Sequence, residues 1–98
     1  METIAISRHG AGTTGEYHAH LTDSDQIGLL TWVQRGDARV AQHTLVPPAI
    51  GGRGVAGKLV EALIADARAQ GFRIVPACSY VAVAFRRHPE WGDLLAES

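Results

Sequence analysis

Apolar and polar positions alternate through much of the first half of the chain. Residues 26–34 (QIGLLTWVQ) set Ile27, Leu29, Thr31 and Val33 on one face and Leu30 and Trp32 on the other. Residues 38–46 (ARVAQHTLV) alternate in the same way, and residues 16–21 (EYHAHL) form a shorter, half-polar run. A period of two is the mark of a β-strand. The connectors TDSD and RGD have turn chemistry at hairpin length, so the three runs read as an antiparallel meander. Residues 1–13 show no comparable pattern and are expected to be irregular or a short frayed strand.

Pro47 and Pro48 stop the third strand, and the period then changes. Ala56, Leu59, Val60, Leu63, Ile64 and Ala67 recur at the spacing of one helix face, while Lys58, Glu61, Asp66 and Arg68 fall largely off it. Gly71 suits the position just past a helix end. Residues 72–77 (FRIVPA) predict a short buried strand. Residues 79–88 (SYVAVAFRRH) predict a second helix, stopped by Pro89, and the tail is expected to dock Trp91 and Leu94. The order β-β-β-α-β-α predicts a small α+β domain spanning residues 1–98. Its last strand should run parallel to the one before the first helix.

Composition narrows the function. A net charge of −1 supplies neither a basic stripe for nucleic acid nor a field for a membrane surface. Any anion site must therefore be local and built largely from backbone. The first residues carry no basic segment and no long apolar run, so neither a signal peptide nor a membrane span is expected. Cys78 is the one cysteine, which rules out an internal disulfide and fits a reducing cytoplasm.

The candidate anion site is GGRGVAGK, residues 51–58. A glycine-rich turn into a helix lets backbone approach a phosphate, and the first N–H groups of the helix are unpaired. Three patterns fit the glycines. A nucleotide-binding P-loop needs a hydroxyl after Lys58, where Leu59 stands. A dinucleotide fold needs an acid about 20 residues onward, where IVPACSY has none. A coenzyme A pyrophosphate loop meets no such contradiction. It needs a strand, a backbone cradle, a helix and a parallel strand that splays away to admit the pantetheine arm.

Four segments then carry a resemblance: His43-Thr44-Leu45-Val46-Pro47, Gly52-Arg53-Gly54-Val55-Ala56, Val75-Pro76-Ala77-Cys78 and Phe85-Arg86-Arg87-His88-Pro89-Glu90. Over roughly residues 43–95 the chain resembles the GNAT superfamily of N-acetyltransferases, in particular its small single-domain YjdJ-like branch. The resemblance implies a GNAT-like acyl-coenzyme A fold and acetyl transfer from acetyl-coenzyme A to an unidentified amine. It implies a pyrophosphate cradle from Val46, Gly51, Gly52, Arg53, Gly54, Val55, Ala56 and Gly57. Gly51 departs from the usual pattern, which opens the loop with Gln or Arg. The rival reading is a non-catalytic acyl-coenzyme A binding or interaction module.

Acetyl transfer needs a base for the amine and an acid for the leaving thiolate. His43, at the end of the strand entering the loop, is the candidate base, because an imidazole ordinarily titrates at about pH 6.5. Cys78 lies beside the expected thioester slot, as nucleophile, acid or small buried hydrophobe. Tyr80 is a candidate acid by analogy with larger relatives. His18 and His20 share a strand face and could begin a metal site, but no third ligand is evident and no metal is expected. Arg86 and Arg87 read as a solvated face, and Trp32 and Trp91 as packing.

Overall fold

The computed structural model describes residues 3–96. One five-stranded sheet runs in sequence order: β1 (Ile4–Ala11), β2 (Thr14–Leu21), β3 (Ile27–Arg35), β4 (Ala38–Leu45) and β5 (Arg73–Pro76). The first four strands pair antiparallel, and β5 lies parallel to β4. Helices α1 (Val55–Gln70) and α2 (Ser79–Arg87) flank β5 in the chain, and short 3-10 turns cover Pro48–Ile50 and Pro89–Leu94. This is the α+β arrangement the periodicities predict, with one extension. The meander has four strands, because residues expected to be irregular or a short frayed strand form the eight-residue β1, in register with β2 from Ile4–Leu21 to Ala11–Thr14. A two-residue turn at Gly12 and Thr13 closes that hairpin, with Gly12 at a φ of 68°.

Strand alternation gives the sheet two unlike faces. Tyr17, Ala19, Leu21, Leu30, Trp32 and Ala41 are buried in one core with Leu59, Val60, Leu63, Ile64 and Ala67 of α1. The apolar stripe of α1 therefore lies on this face. Gly28 lets the helix come close: a Cβ there would stand 2.5 Å from Val55 Cγ1 and 3.3 Å from Leu59 Cδ1. Gly71, at a φ of 79°, ends α1 with its N–H bonded to the Ala67 carbonyl. Leu94 is buried at the far end of the core, with Trp91 partly buried against it, and Trp91 packs edge-on against Phe85.

The other face comprises the alternate residues of the same strands, among them Glu16, His18, His20, Ile27, Leu29 and Thr31. Ile27 and Leu45 are among the large hydrophobic residues left exposed.

Candidate functional site

The chain leaves β4 through the prolines, buries Ile50 in the 3-10 turn, and enters α1 over Gly51 to Gly54. Gly52 and Gly54 have φ of 73° and 78°, and a Cβ on either would meet nothing within 4 Å. Glycine here supplies the left-handed backbone and leaves open space above it. Gly54 is the N-cap of α1, no side chain among the described residues caps the helix, and its first turn holds no acid. The first helical bond runs from Lys58 N–H to the Gly54 carbonyl at 3.1 Å. The N–H groups of Val55, Ala56 and Gly57 thus precede any intrahelical acceptor, at the positive end of the helix dipole. Arg53 bonds both Asp23 carboxylate oxygens through Nη2, at 2.9 and 3.0 Å, tying the loop to the β2–β3 connection. Lys58 pairs with Glu61 at 3.6 Å. Val46 packs partly buried against the core.

Beside this cradle the two parallel strands part. The β4–β5 ladder ends at Ala41–Pro76, and the last tie is Cys78 N–H to the Ala41 carbonyl at 2.9 Å. Beyond it, β4 pairs with β3 alone. The split coincides with a bulge, since Ala41 faces Trp32 and His43 faces Thr31, leaving Gln42 as an extra residue.

Cys78 is the N-cap of α2 and its thiol donates to Thr44 Oγ1 at 3.6 Å. Burial by itself pushes this thiol up. The Thr44 hydroxyl, with the N–H groups of Val81 and Tyr80 at the helix start, outweighs burial and leaves it below the ordinary thiol value. Tyr80 is 44% exposed, and its hydroxyl lies 3.9 Å from where a Cβ on Gly57 would stand. A pocket of about 260 Å³ opens there between α1 and α2, lined by Gly57, Tyr80, Ala84, Arg87, His88 and Trp91 among others.

His43 lies on the other side of the sheet. Thr44 sits in register with the buried Leu30 and so faces the helices, whereas His43 sits opposite Thr31 on the uncovered face. There it shares an open depression of about 620 Å³ with His9, Glu16, Thr31 and Gln42. The fold therefore does not join His43 to Cys78, and the side chain bonded to the thiol is that of Thr44. That hydroxyl stands in the HTLVP segment, so the motif displayed it, but pairing it with Cys78 required the parallel crossover. His9, Glu16 and Gln42 beside His43 also escaped sequence reasoning, because strand register alone assembles them.

The model of the GCN5-related N-acetyl-transferase family matches residues 16–94. The chain belongs to that family. The match takes in the cradle, the strand split, His43, Cys78 and Tyr80, and assigns this family member to acyl-transfer chemistry in general. No curated protein matches the chain significantly. Among the described residues, no helix of this acyltransferase-family chain is long and apolar enough to cross a membrane.

Proposed function

We propose that this chain, residues 1–98 acting as one domain, transfers an acetyl group from acetyl-coenzyme A to an amine acceptor. One observation carries the reading: the uncapped start of α1, with open space over Gly52 and Gly54, stands beside the split between β4 and β5. Backbone N–H groups at a helix start hold a pyrophosphate without charged side chains. Val46, Gly51 and residues 52–57 form the cradle. Arg53 takes part through its backbone while its guanidinium ties the loop to Asp23. The thioester then reaches the split from the side of Cys78 and Tyr80.

The amine enters from the uncovered face, where the Glu16 carboxylate attracts an ammonium and His43 takes its proton. Its nitrogen attacks the thioester carbonyl carbon, the C–N bond forms and the C–S bond breaks. The departing thiolate takes a proton from Tyr80, with Cys78 lining the slot. The second proton that the nitrogen sheds as it becomes an amide passes through solvent and restores the Tyr80 hydroxyl, which is exposed. The two faces thus deliver the two substrates to opposite sides of one gap.

Calorimetric titration with coenzyme A, acetyl-coenzyme A, NAD and magnesium ATP tests the cradle. Coenzyme A and its acetyl ester bind, and a folded Gly54→Val protein binds them at least about tenfold more weakly, because a branched side chain fills the space the phosphates need. Unchanged affinity in that variant, or tight magnesium-dependent ATP binding, removes the assignment. Acetyl transfer that falls in His43→Ala separates the enzyme from a module that only binds.

The lowered Cys78 thiol favours one second reading, attack by its thiolate to form an acetyl-cysteine. Intact mass after incubation with acetyl-coenzyme A distinguishes the two. Direct transfer leaves no adduct, whereas an acetyl adduct absent from Cys78→Ser puts the covalent route in its place.

A further inference from the structure

The β1–β2 hairpin carries three histidines on the uncovered face that acyl transfer does not use. Register sets Ser7 opposite His18, Ala5 opposite His20, and His9 opposite Glu16. Their neighbours Tyr17 and Ala19 are buried toward α1, so alternation turns His9, Ser7, Glu16, His18 and His20 outward together. One ring nitrogen from each of His9, His18 and His20 lies within 4.8 Å of the others. The His9 and His18 rings stand 4.0 Å apart between centroids. Ser7 Oγ lies 2.8 Å from Nε2 of both His9 and His20, between them. Glu16 Oε1 lies 2.8 Å from His18 Nε2.

We propose that His9, His18 and His20 form a binding site for a divalent transition-metal ion, with zinc as its occupant and Glu16 as the carboxylate that orients His18. The inference does not rest on the acetyl-transfer reading. Three imidazoles and no closed cage of oxygens favour zinc, copper or nickel over magnesium or calcium. Zinc–nitrogen bonds of about 2.0–2.1 Å require ligand nitrogens roughly 3.3 Å apart in a tetrahedron. The backbone already holds the three side chains together through paired strands, so rotation about side-chain bonds closes the remaining gap. Three protein ligands leave a fourth position open, as in sites where zinc keeps a water or meets a substrate. A carboxylate on a ligating histidine is the usual outer support of such a site. His9 and Glu16 also line the depression that holds His43, so the ion stands at its border.

Untagged protein, stripped with a chelator and titrated calorimetrically with zinc chloride, tests the site. One zinc binds per chain and excess magnesium does not displace it. His9→Ala and His20→Ala each weaken binding more than about tenfold, Glu16→Gln weakens it by about tenfold, and His88→Ala leaves it unchanged. Both ligand positions are exposed, and circular dichroism reports whether the variants fold. The wild-type protein supplies an independent reading by NMR: zinc shifts the imidazole resonances of His9, His18 and His20. Absence of one-to-one binding, affinity unchanged in both ligand variants, or shifts confined to His43 and His88 would overturn the proposal.

Discussion

The two faces of the sheet are written in alternate residues of the same strands, yet they do opposite work. Toward α1, even the polar groups are closed into partnerships. Asp66 accepts from Arg8 Nε at 2.8 Å and from the Tyr17 hydroxyl at 2.8 Å, and Arg39 donates to the same hydroxyl at 2.9 Å. The Arg39 guanidinium lies 3.8 Å over the Trp32 ring and 4.1 Å over Phe72. Burial drives the Tyr17 hydroxyl well above the ordinary tyrosine value, and the Asp66 carboxylate adds to this. Burial also pushes the Asp66 carboxyl up, but the hydrogen bonds from Arg8 and Tyr17 outweigh it and leave Asp66 below the carboxylate range.

On the uncovered face, exposed apolar and titratable side chains lie side by side, as Ile27 does opposite His20. Leu45 is 59% exposed there, two residues along the strand from His43. The lesson is that residue type did not sort these positions. The covered face contributes stability and holds the start of α1 in place. The uncovered face keeps exposed titratable groups, among them His9, His20 and His43.

Four substitutions probe that contrast. Leu63→Ala, in the fully buried stripe of α1, costs about 2–5 kcal/mol in denaturant unfolding. A loss under about 1 kcal/mol would mean the core is looser than its burial indicates. Gly28→Ala forces a methyl against Val55, a stiff and buried side chain, and costs about 1–3 kcal/mol. Because Val55 begins α1, the same variant weakens coenzyme A binding. Retained affinity in a destabilised Gly28→Ala protein would separate the packing from the cradle.

Asp66→Asn costs about 1–2 kcal/mol at neutral pH, toward the low end because Arg8 is half exposed. The folded pKa of Asp66 lies below its unfolded value, so its contribution is complete above about pH 4 and is lost as pH falls through the folded value. Urea titrations at stepped pH should therefore show wild type and variant converging in acid; a gap that stays constant down to low pH would locate the effect in packing instead. Leu45→Thr has the smallest effect, within about 0.5 kcal/mol. A clear loss there would reveal that another surface covers this face in solution.

How far the chain could be read depended on the range of the interactions involved. The stripe Leu59, Val60, Leu63 and Ile64 and the C-terminal Gly71 marked α1 to within a few residues, because helix signals repeat inside one segment. Strand β1 was not legible in the same way. Ile4 and Ile6 alternate with small or polar residues, and the segment becomes a strand only by pairing with β2. Gly12 before Thr13 was the local signal that could have exposed the hairpin. Without the β1–β2 pairing, His9 could not be recognised as the third histidine beside His18 and His20.

By itself, then, the sequence determined the helices, three of the antiparallel strands, the glycine turn into α1 and the family resemblance. Each follows from periodicity, turn chemistry or short motifs contained in neighbouring residues. Tertiary structure alone decided that Thr44 meets Cys78, that His43 faces away from both, and that His9 joins a pair of histidines on the next strand. In a strand, consecutive residues point to opposite faces, so which side receives the helix and which residues meet across strands depend on register and crossover. Those are settled by burying the apolar stripe of α1 against one face, a choice that no single segment contains.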